Sequence, residues 1–221
     1  KALLVDLGKN SIESRDLPRE WYDDFIGGEG LAIRLFHEYM DAGREALDPG
    51  TPILFATGPL NATKAPACGR TVVVFRSPAT GTLGISNVGG HFAPALKRAG
   101  WDILLVKGKA EKPVWLRIED DRVSIEDAST VWGKEVSHTE EYVKEKMGKK
   151  GVQVASIGPA GENLVRFSCI MTHQHRSAGR GGGGALMGSK NLKAIGVKGS
   201  KPVSVADPEA LETASAKAKE Q

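Results

Sequence analysis

The stretch from His173 to Lys193 combines the side chains and the backbone best suited to binding an anion in this 221-residue chain. Five of the 27 glycines lie at positions 179 and 181–184, with Arg176 just before that run and Arg180 inside it. Glycine lets backbone amides approach a ligand, amides at a helix start favour anions, and arginine offers paired donors to phosphate. The stretch therefore predicts an anion or phosphate cradle, with a mobile glycine loop as the alternative.

The same glycine run contains formal matches to two nucleotide-binding motifs, and both are incomplete. A G-x-G-x-x-G match is nearly automatic among so many glycines. The next acidic residue, Asp207, stands at a helix start instead of at a strand end. Residues 183–190 resemble a Walker A loop, but Ser189 precedes Lys190 in the reverse of the required order. Nucleotide binding is therefore not favoured.

Cys169, His173 and His175 lie close enough in the chain to ligate a metal such as zinc. No second ligand pair with finger-type spacing is present, so a core cysteine and two surface histidines are favoured. Cys68 is the chain's other cysteine, and two cysteines cannot by themselves hold an iron–sulfur cluster.

Three polar residues stand at the ends of predicted strands. Arg70 opens a β-branched strand directly after a flexible loop and is predicted to contact a ligand, whereas Arg76 is predicted to form a salt bridge at the rim. Asn87 precedes Gly89 and Gly90. It either shapes this turn or offers a carbonyl oxygen to a cation while the glycine amides face an anion, and the residues alone leave both open.

Composition limits the function classes. The chain is 40% hydrophobic and 26% charged, with a net charge of +3, which is ordinary for a soluble globular protein and gives no argument for nucleic acid. No apolar run reaches the length of a membrane span and no signal peptide is evident, so a cytoplasmic location without a membrane partner is expected. An RNA-binding role for the Arg-Gly-Gly segment lacks stacking aromatics nearby.

Short segments of the first half recur in the second, which indicates an internal duplication. Each half is predicted to run hairpin, helix, strand, Gly-Pro, strand, glycine-rich turn, helix, strand. Because regular βαβ alternation is absent, we predict an α+β fold of two related β-rich halves with mixed or antiparallel sheets and flanking helices. The recurring pairs are Ser11–Glu13 with Ser124–Glu126, Gly58-Pro59 with Gly158-Pro159, Arg76-Ser77 with Arg176-Ser177, and Val106–Gly108 with Val197–Gly199.

Several local features are also predicted. Residues 137–147 read as a helix that begins with a Ser137–Glu140 capping box, and residues 164–171 read as a strand. Glu140 and Glu141 are expected on a solvated face. Residues 207–221 read as a polar helix with a proline at its start.

A set of motifs, in the same order as in a known family, covers nearly the whole chain. The chain thereby resembles the N-terminal domain of the aldehyde:ferredoxin oxidoreductases, which are tungsten-pterin enzymes. The matching segments are Gly27–Ala32, Ala56–Leu60, Ala65-Pro66, Gly69-Arg70, Asn87–Gly90, Ala95–Gly100, Gly158–Asn163, His175–Gly181 and Gly188–Ala194.

This resemblance implies a base domain on which a tungsten, or sometimes molybdenum, bis-pterin cofactor sits. It implies that backbone carbonyls at Asn87 and Ser177 reach a magnesium ion that bridges the two pterin phosphates. Arg70, Gly89 and Arg176 are the positions that match pterin contacts. Ser177 stands where alanine is common in the family, which leaves a backbone carbonyl role intact.

The resemblance further implies an enzyme that oxidises aldehydes to carboxylic acids and passes electrons through a 4Fe-4S cluster to ferredoxin. The cluster cysteines and the acid/base residues of the family lie in later domains, so this chain is not expected to catalyse alone. We expect residues 1–203 to form the cofactor base and residues 204–221 to begin a following helical domain. The alternative is a free-standing pterin-binding or assembly subunit without catalysis, and a homodimer is compatible with either.

Overall fold

The computed structural model describes residues 1–220, which form two six-stranded sheets with helices on and between them. The first half contains β1 (Ala2–Asp6), β2 (Ser11–Arg15), α1 (Arg19–Phe25), α2 (Gly28–Tyr39), β3 (Ile53–Thr57), β4 (Thr71–Arg76), β5 (Leu83–Val88), α3 (Phe92–Arg98) and β6 (Ile103–Lys107). The second half contains β7 (Val114–Glu119), β8 (Arg122–Asp127), α4 (Val136–Lys146), β9 (Gln153–Ser156), α5 (Pro159–Glu162), β10 (Ile170–Thr172), β11 (Arg176–Ala178), α6 (Gly183–Ser189) and β12 (Leu192–Lys198), and α7 (Pro208–Lys219) follows.

The two sheets share one topology, which confirms the predicted α+β fold and agrees with the duplication. Their strand orders are β2-β1-β6-β3-β4-β5 and β8-β7-β12-β9-β10-β11. In each sheet the first strand of the half pairs in parallel with the last, and the other pairs are antiparallel. Each strand of the first half therefore has a counterpart at the same place in the second.

Strand register refines which residues are equivalent. Asn87 pairs with Val72 and is the penultimate residue of β5, and Ser177 pairs with Met171 and is the penultimate residue of β11. The match between Arg76 and Arg176 is wrong, because Arg76 ends the fourth strand of its sheet whereas Arg176 begins the fifth. The duplication thus makes Asn87 and Ser177 the corresponding positions.

The chain folds into layers because its strands present apolar side chains on one or both faces. β3 is buried throughout, whereas β5 alternates exposed and buried residues as an edge strand with one covered face does. α2 packs outside β3 and β4, α4 packs outside β9 and β12, and α3 and α6 lie between the sheets. Phe92 of α3 and Leu186 of α6 share one core with both sheets, and each contributes roughly 1.5–3 kcal/mol by its burial.

Three local predictions are wrong: the capping box at Ser137, the solvated position of Glu140 and the strand over residues 164–171. α4 begins at Val136 with Glu135 as its N-cap and no side-chain capping bond, and Glu140 lies inside it and is buried. Residues 164–169 form turns, and only Ile170–Thr172 of the predicted strand pairs with β9. The strand is shorter because its partner β9 ends at Ser156 and α5 begins at Pro159, while the carbonyl of Ser168 accepts a hydrogen bond from the amide of Gly184 in α6.

α7 agrees with the polar helix predicted at the end of the chain, and Gln221 lies outside the described residues. Asp207 caps the helix by accepting a hydrogen bond from the amide of Ala210 at 2.9 Å. Glu212 forms a salt bridge with Lys64 at 3.0 Å. Among the described helices, none combines the length and the apolar character needed to cross a bilayer.

Candidate functional site

Arg70, Asn87 and Gly89 lie together where β4 begins and β5 ends. Thr71 pairs with Val88, so Arg70 and Gly89 are the next residues outward from that pair. The two loops touch directly, since a Cβ on Gly69 would stand 2.5 Å from the carbonyl oxygen of Gly90. Arg70 and Asn87 are exposed, and together with Gly89 they form one open rim of the first sheet.

The second half meets this rim along β5 and β11. Ser86 is buried, and its hydroxyl donates to the carbonyl of Gly179 at 2.6 Å. Three residues later, just after the end of β5, a Cβ on Gly89 would stand 3.0 Å from Nη1 of Arg176. The two segments therefore run antiparallel, and their register places Asn87 and Ser177 on either side of a local pseudo-two-fold axis.

Arg176 crosses from the second half onto the backbone of the first. A Cβ on Gly90 would lie 3.3 Å from Cδ of Arg176 and 3.0 Å from Nδ1 of His173. Gly90 also has a φ of 123°, which side-chain-bearing residues rarely adopt. Glycine at 89 and 90 thus leaves room for the guanidinium and keeps backbone amides accessible.

The charge of this surface favours an anion. Arg70 and Arg176 are both exposed, and within residues 1–220 neither forms a salt bridge. Guanidinium groups present planar, paired donors that match phosphate oxygens. Two such groups on a surface that also includes the partly exposed backbone of Gly89 and Gly90 can bind a phosphorylated ligand.

His173 stands at the edge of this surface. Its ring is 5.5 Å from that of His91, and its buried Nδ1 has no hydrogen-bond partner among the described residues. Burial lowers the pKa of His173 below its ordinary value, although the negative charge of Glu140 acts in the opposite direction. The ring is therefore neutral at neutral pH and offers an uncharged polar nitrogen next to Gly90.

The predicted zinc alternative gains no geometric support. Cys169 is partly buried with its Sγ 3.6 Å from Sδ of Met171, and His175 is exposed. Within residues 1–220 no group of three or more histidine, cysteine, aspartate or glutamate residues is arranged to hold a metal ion. Cys68 and Cys169 are both free thiols.

The glycine run itself is not the cradle that the sequence predicts. Gly182 to Gly188 are buried, and a Cβ on Gly184 would lie 2.6 Å from the carbonyl oxygen of Cys169. On Gly188 it would overlap the carbonyl of Gly161. These glycines allow α6 to pack against neighbouring backbone. In this stretch Arg176, Ser177 and Arg180 remain exposed, and Arg176 and Ser177 lie just before the run.

Other residues differ from their predicted surroundings. Arg76 forms no salt bridge within the described residues and donates from Nη1 to the carbonyl of Ala42 at 2.7 Å. Lys190 and Lys193, which end the predicted cradle, are fully buried and donate to the carbonyls of Pro49 and Lys134. Neither lysine can reach a ligand on the surface.

Ser86 lies outside the motifs that indicated the site in the sequence. Its hydroxyl joins the two halves one residue away from Asn87. The signal available in the sequence is the alternation of β5, which turns Ser86 towards the interior between exposed Ile85 and Asn87. The surface hollow bounded by β1 and Tyr39, and the one beneath α7, are lined by residues outside this site.

Comparison with known proteins points to one family. The family model described as "Aldehyde ferredoxin oxidoreductase, N-terminal domain" matches residues 2–199. Tungsten-containing aldehyde ferredoxin oxidoreductases of Pyrococcus horikoshii and Pyrococcus furiosus are 50% and 49% identical to the chain, covering 94% and 92% of it and 34% of each relative. An aliphatic sulfonate oxidoreductase WOR-like subunit of Pyrococcus furiosus is 38% identical over 92% of the chain and 35% of that relative.

A solved structure supports the same fold. The active site complex BamBC of benzoyl coenzyme A reductase, in complex with 1,5-dienoyl-CoA, superposes with a TM-score of 0.91 at 40% identity. The match covers 94% of this chain and 32% of that one. The chain thus spans about a third of the length of the relatives it matches.

Proposed function

Since this chain belongs to the aldehyde ferredoxin oxidoreductase family and corresponds to its N-terminal domain, we propose that its β5–β11 surface holds a tungsten bis-pterin cofactor, with molybdenum as the alternative metal. Within an enzyme of this family, the surface would orient the cofactor for oxidation of an aldehyde. The cofactor supplies the redox chemistry, and the residues of this chain supply binding and orientation.

The observation that carries the proposal is the equivalence of Asn87 and Ser177. They occupy the same position in two strands of the same topology, and these strands meet across a pseudo-two-fold axis. A ligand made of two like halves matches such a surface, and a bis-pterin has two like halves with one phosphate each. We assign the backbone carbonyls of Asn87 and Ser177 to a magnesium ion between those phosphates, because this hard cation prefers oxygen ligands.

The two arginines fit the phosphates by charge and by access. Arg70 and Arg176 flank Gly89 from the first and the second half respectively, and both are exposed without a carboxylate partner in the described part of the chain. Their positive charges would offset the phosphates, while Gly89 would let the pterin approach the backbone. The donor set present on this surface therefore suits the cofactor.

The proposed reaction converts an aldehyde and water into a carboxylic acid and releases two electrons and two protons. Electrons would leave through a 4Fe-4S cluster to ferredoxin, the acceptor named for the relatives in Pyrococcus. Cys68 and Cys169 are too few to ligate such a cluster, so its ligands would come from protein outside this chain.

Aldehydes are the proposed substrates because of the ranking of the relatives. The relatives at 50% and 49% identity carry the tungsten and aldehyde name, whereas the aliphatic sulfonate oxidoreductase subunit is 38% identical. In this proposal the described surface binds the cofactor and does not contact the substrate. The choice of aldehydes as substrates therefore rests on the sequence identities of the relatives.

The test is analysis of the protein purified from cells grown with tungstate and molybdate. We expect about one tungsten or molybdenum atom and about two pterins per chain by elemental analysis and by fluorescence of the released pterin. Absence of both metals together with absence of pterin would refute the proposal. Full occupancy without aldehyde oxidation by the intact protein would favour the alternative of a pterin-binding or assembly subunit.

A further inference from the structure

Glu140 is a buried carboxylate to which the proposed function gives no role. It lies on α4 of the second half with only 4% of its surface exposed. Burying a carboxylate is costly unless its oxygens are paired and hydrogen-bonded. One oxygen, Oε1, forms an ion pair with Lys144, which lies one helical turn later. The hydrogen-bond partner of the second oxygen, Oε2, indicates the role of this buried carboxylate.

The second oxygen holds the turn between β10 and β11. Oε2 of Glu140 accepts a hydrogen bond from the backbone amide of Gln174 at 3.0 Å. His173 and Gln174 have φ values of 50° and 45°, in the left-handed region that side-chain-bearing residues disfavour. Such a conformation persists only where the surroundings enforce it. The hydrogen bond from Gln174 to Glu140 stabilises this conformation of the turn. Because the acceptor is charged, this bond is stronger than a neutral one.

The turn leads directly to the surface that binds the proposed cofactor. The link between β10 and β11 is short, since it consists of residues 173–175. The equivalent link in the first half, between β4 and β5, consists of residues 77–82. Arg176 is the second residue after Gln174, and its Nη1 stands next to Gly89. His173 of the same turn packs against Gly90. A change in the turn is therefore passed to Arg176 through one intervening residue.

We infer that Glu140 is a positioning residue for Arg176: its carboxylate fixes the turn at 173–175 and thereby holds the Arg176 guanidinium beside Gly89. This inference deepens the proposed function and rests on it in so far as Arg176 contacts the cofactor.

Three variants of the same helix test this role. Glu140→Ala removes the acceptor, Glu140→Gln keeps an amide oxygen that can accept from Gln174, and Glu141→Ala changes the exposed neighbour as a control. In the 221-residue chain, we expect the Gln174 amide to exchange with solvent at least about tenfold faster in Glu140→Ala. Nuclear Overhauser contacts from the Arg176 side chain to Gly89 and Gly90 should be lost in the same variant.

The cofactor provides the second readout. In protein purified with its cofactor, Glu140→Ala should lower bound pterin several-fold, Glu140→Gln should restore most of it, and Glu141→Ala should match the unchanged protein. Glu140→Asp withdraws the oxygen while keeping the charge, and it replaces Glu140→Ala in both readouts if that variant does not fold.

The outcomes separate this inference from the proposed function. Unchanged Gln174 exchange and unchanged Arg176 contacts in Glu140→Ala would overturn the inference, whatever the cofactor content. Faster exchange with the Arg176 contacts to Gly89 and Gly90 retained would also overturn it, because Arg176 would then not depend on the turn. Lost contacts with undiminished pterin would support the inference and count against the role of Arg176 in the proposed function. If the unchanged protein carries no pterin, the proposed function fails, and the exchange and contact data still decide whether Glu140 positions Arg176.

Discussion

Arg176 of the second half lies beside Gly89 of the first, so close that a Cβ at Gly89 would stand 3.0 Å from its Nη1. This contact mirrors the hydrogen bond from Ser86 to Gly179 across the same strand pair. Two halves of one topology thus meet along β5 and β11, with Asn87 and Ser177 at corresponding positions. The site follows from the duplication, because a surface between like halves is suited to a ligand with like halves.

Gly89→Ala should lower cofactor occupancy with little effect on stability. The added methyl group would displace the Arg176 guanidinium, which is the flexible end of a side chain, and would also narrow the approach to the backbone. The measurement is bound pterin per chain beside a thermal melt. Gly43→Ala is the matched control, because its nearest neighbour would be a side-chain oxygen of Asp41 at 3.7 Å. Equal pterin in both variants would show that Gly89 does not face the cofactor.

Gly188→Ala should destabilise the chain, because its Cβ would overlap the carbonyl of Gly161 and backbone cannot move aside cheaply. We expect the free energy of unfolding to fall by at least about 1 kcal/mol net of the gain in helix propensity. Gly158→Ala, whose Cβ would make an ordinary 3.6 Å contact with Val136, should change it by less than about 1 kcal/mol. Chemical denaturation of both variants tests this, and similar stabilities would contradict the packing role of the glycine run.

Lys190 should make stability rise with pH. Burial lowers its pKa from 10.5 to about 7, although nearby Asp48 and Asp6 act in the opposite direction. Between about pH 7 and pH 10 the unfolded chain holds a proton at this lysine that the folded chain has released, so raising the pH favours the folded state. Below about pH 7 both states are protonated and the contribution is constant.

The measurement for Lys190 is the free energy of unfolding of the unchanged chain minus that of Lys190→Met, taken across this window. Other titrating groups are the same in both proteins and cancel in this difference. The difference should therefore increase from pH 7 to pH 10 because of Lys190 alone. Lys9→Met, which removes an exposed lysine, is the control and should show a flat difference. A flat difference for Lys190→Met would mean that the lysine stays charged when buried.

Arg70→Ala and Arg176→Ala should each lower cofactor occupancy in the intact protein. Each removes an exposed guanidinium group that forms no salt bridge within residues 1–220, and phosphate oxygens lose a charge-assisted partner worth about 1.5–3 kcal/mol. Arg19→Ala, on the exposed face of α1, is the control. Pterin and metal should be measured per chain, and full occupancy in both Arg70→Ala and Arg176→Ala would refute their roles.

The sequence was sufficient for the fold class and for the duplication, because strand runs and Gly-Pro turns recur in the same order. The repeat match between Arg76 and Arg176 was wrong, because the loop between β10 and β11 is shorter than the loop between β4 and β5. Short matches cannot reveal such a deletion, whereas strand register does. The pairing of Ser177 with Met171 and of Asn87 with Val72 corrects it.

The chemistry of the glycine run and of Glu140 required the structure. A run of glycines reads the same whether it approaches a ligand or neighbouring backbone, and here Gly184 and Gly188 approach backbone. Glu140 reads as a surface residue in a polar helix, because its partner Gln174 is distant in the chain. The roles of the glycine run and of Glu140 depend on contacts between elements that are distant in the chain. Such contacts cannot be read from composition or from local sequence.

The most direct test is a high-resolution structure of the protein with its cofactor bound. We expect the backbone carbonyl oxygens of Asn87 and Ser177 to be ligands of a magnesium ion that would sit with the pterin phosphates. Arg70 and Arg176 should contact those pterins from opposite halves of the chain. Cofactor density on another face, or carbonyls of Asn87 and Ser177 directed away from the ion, would contradict this expectation.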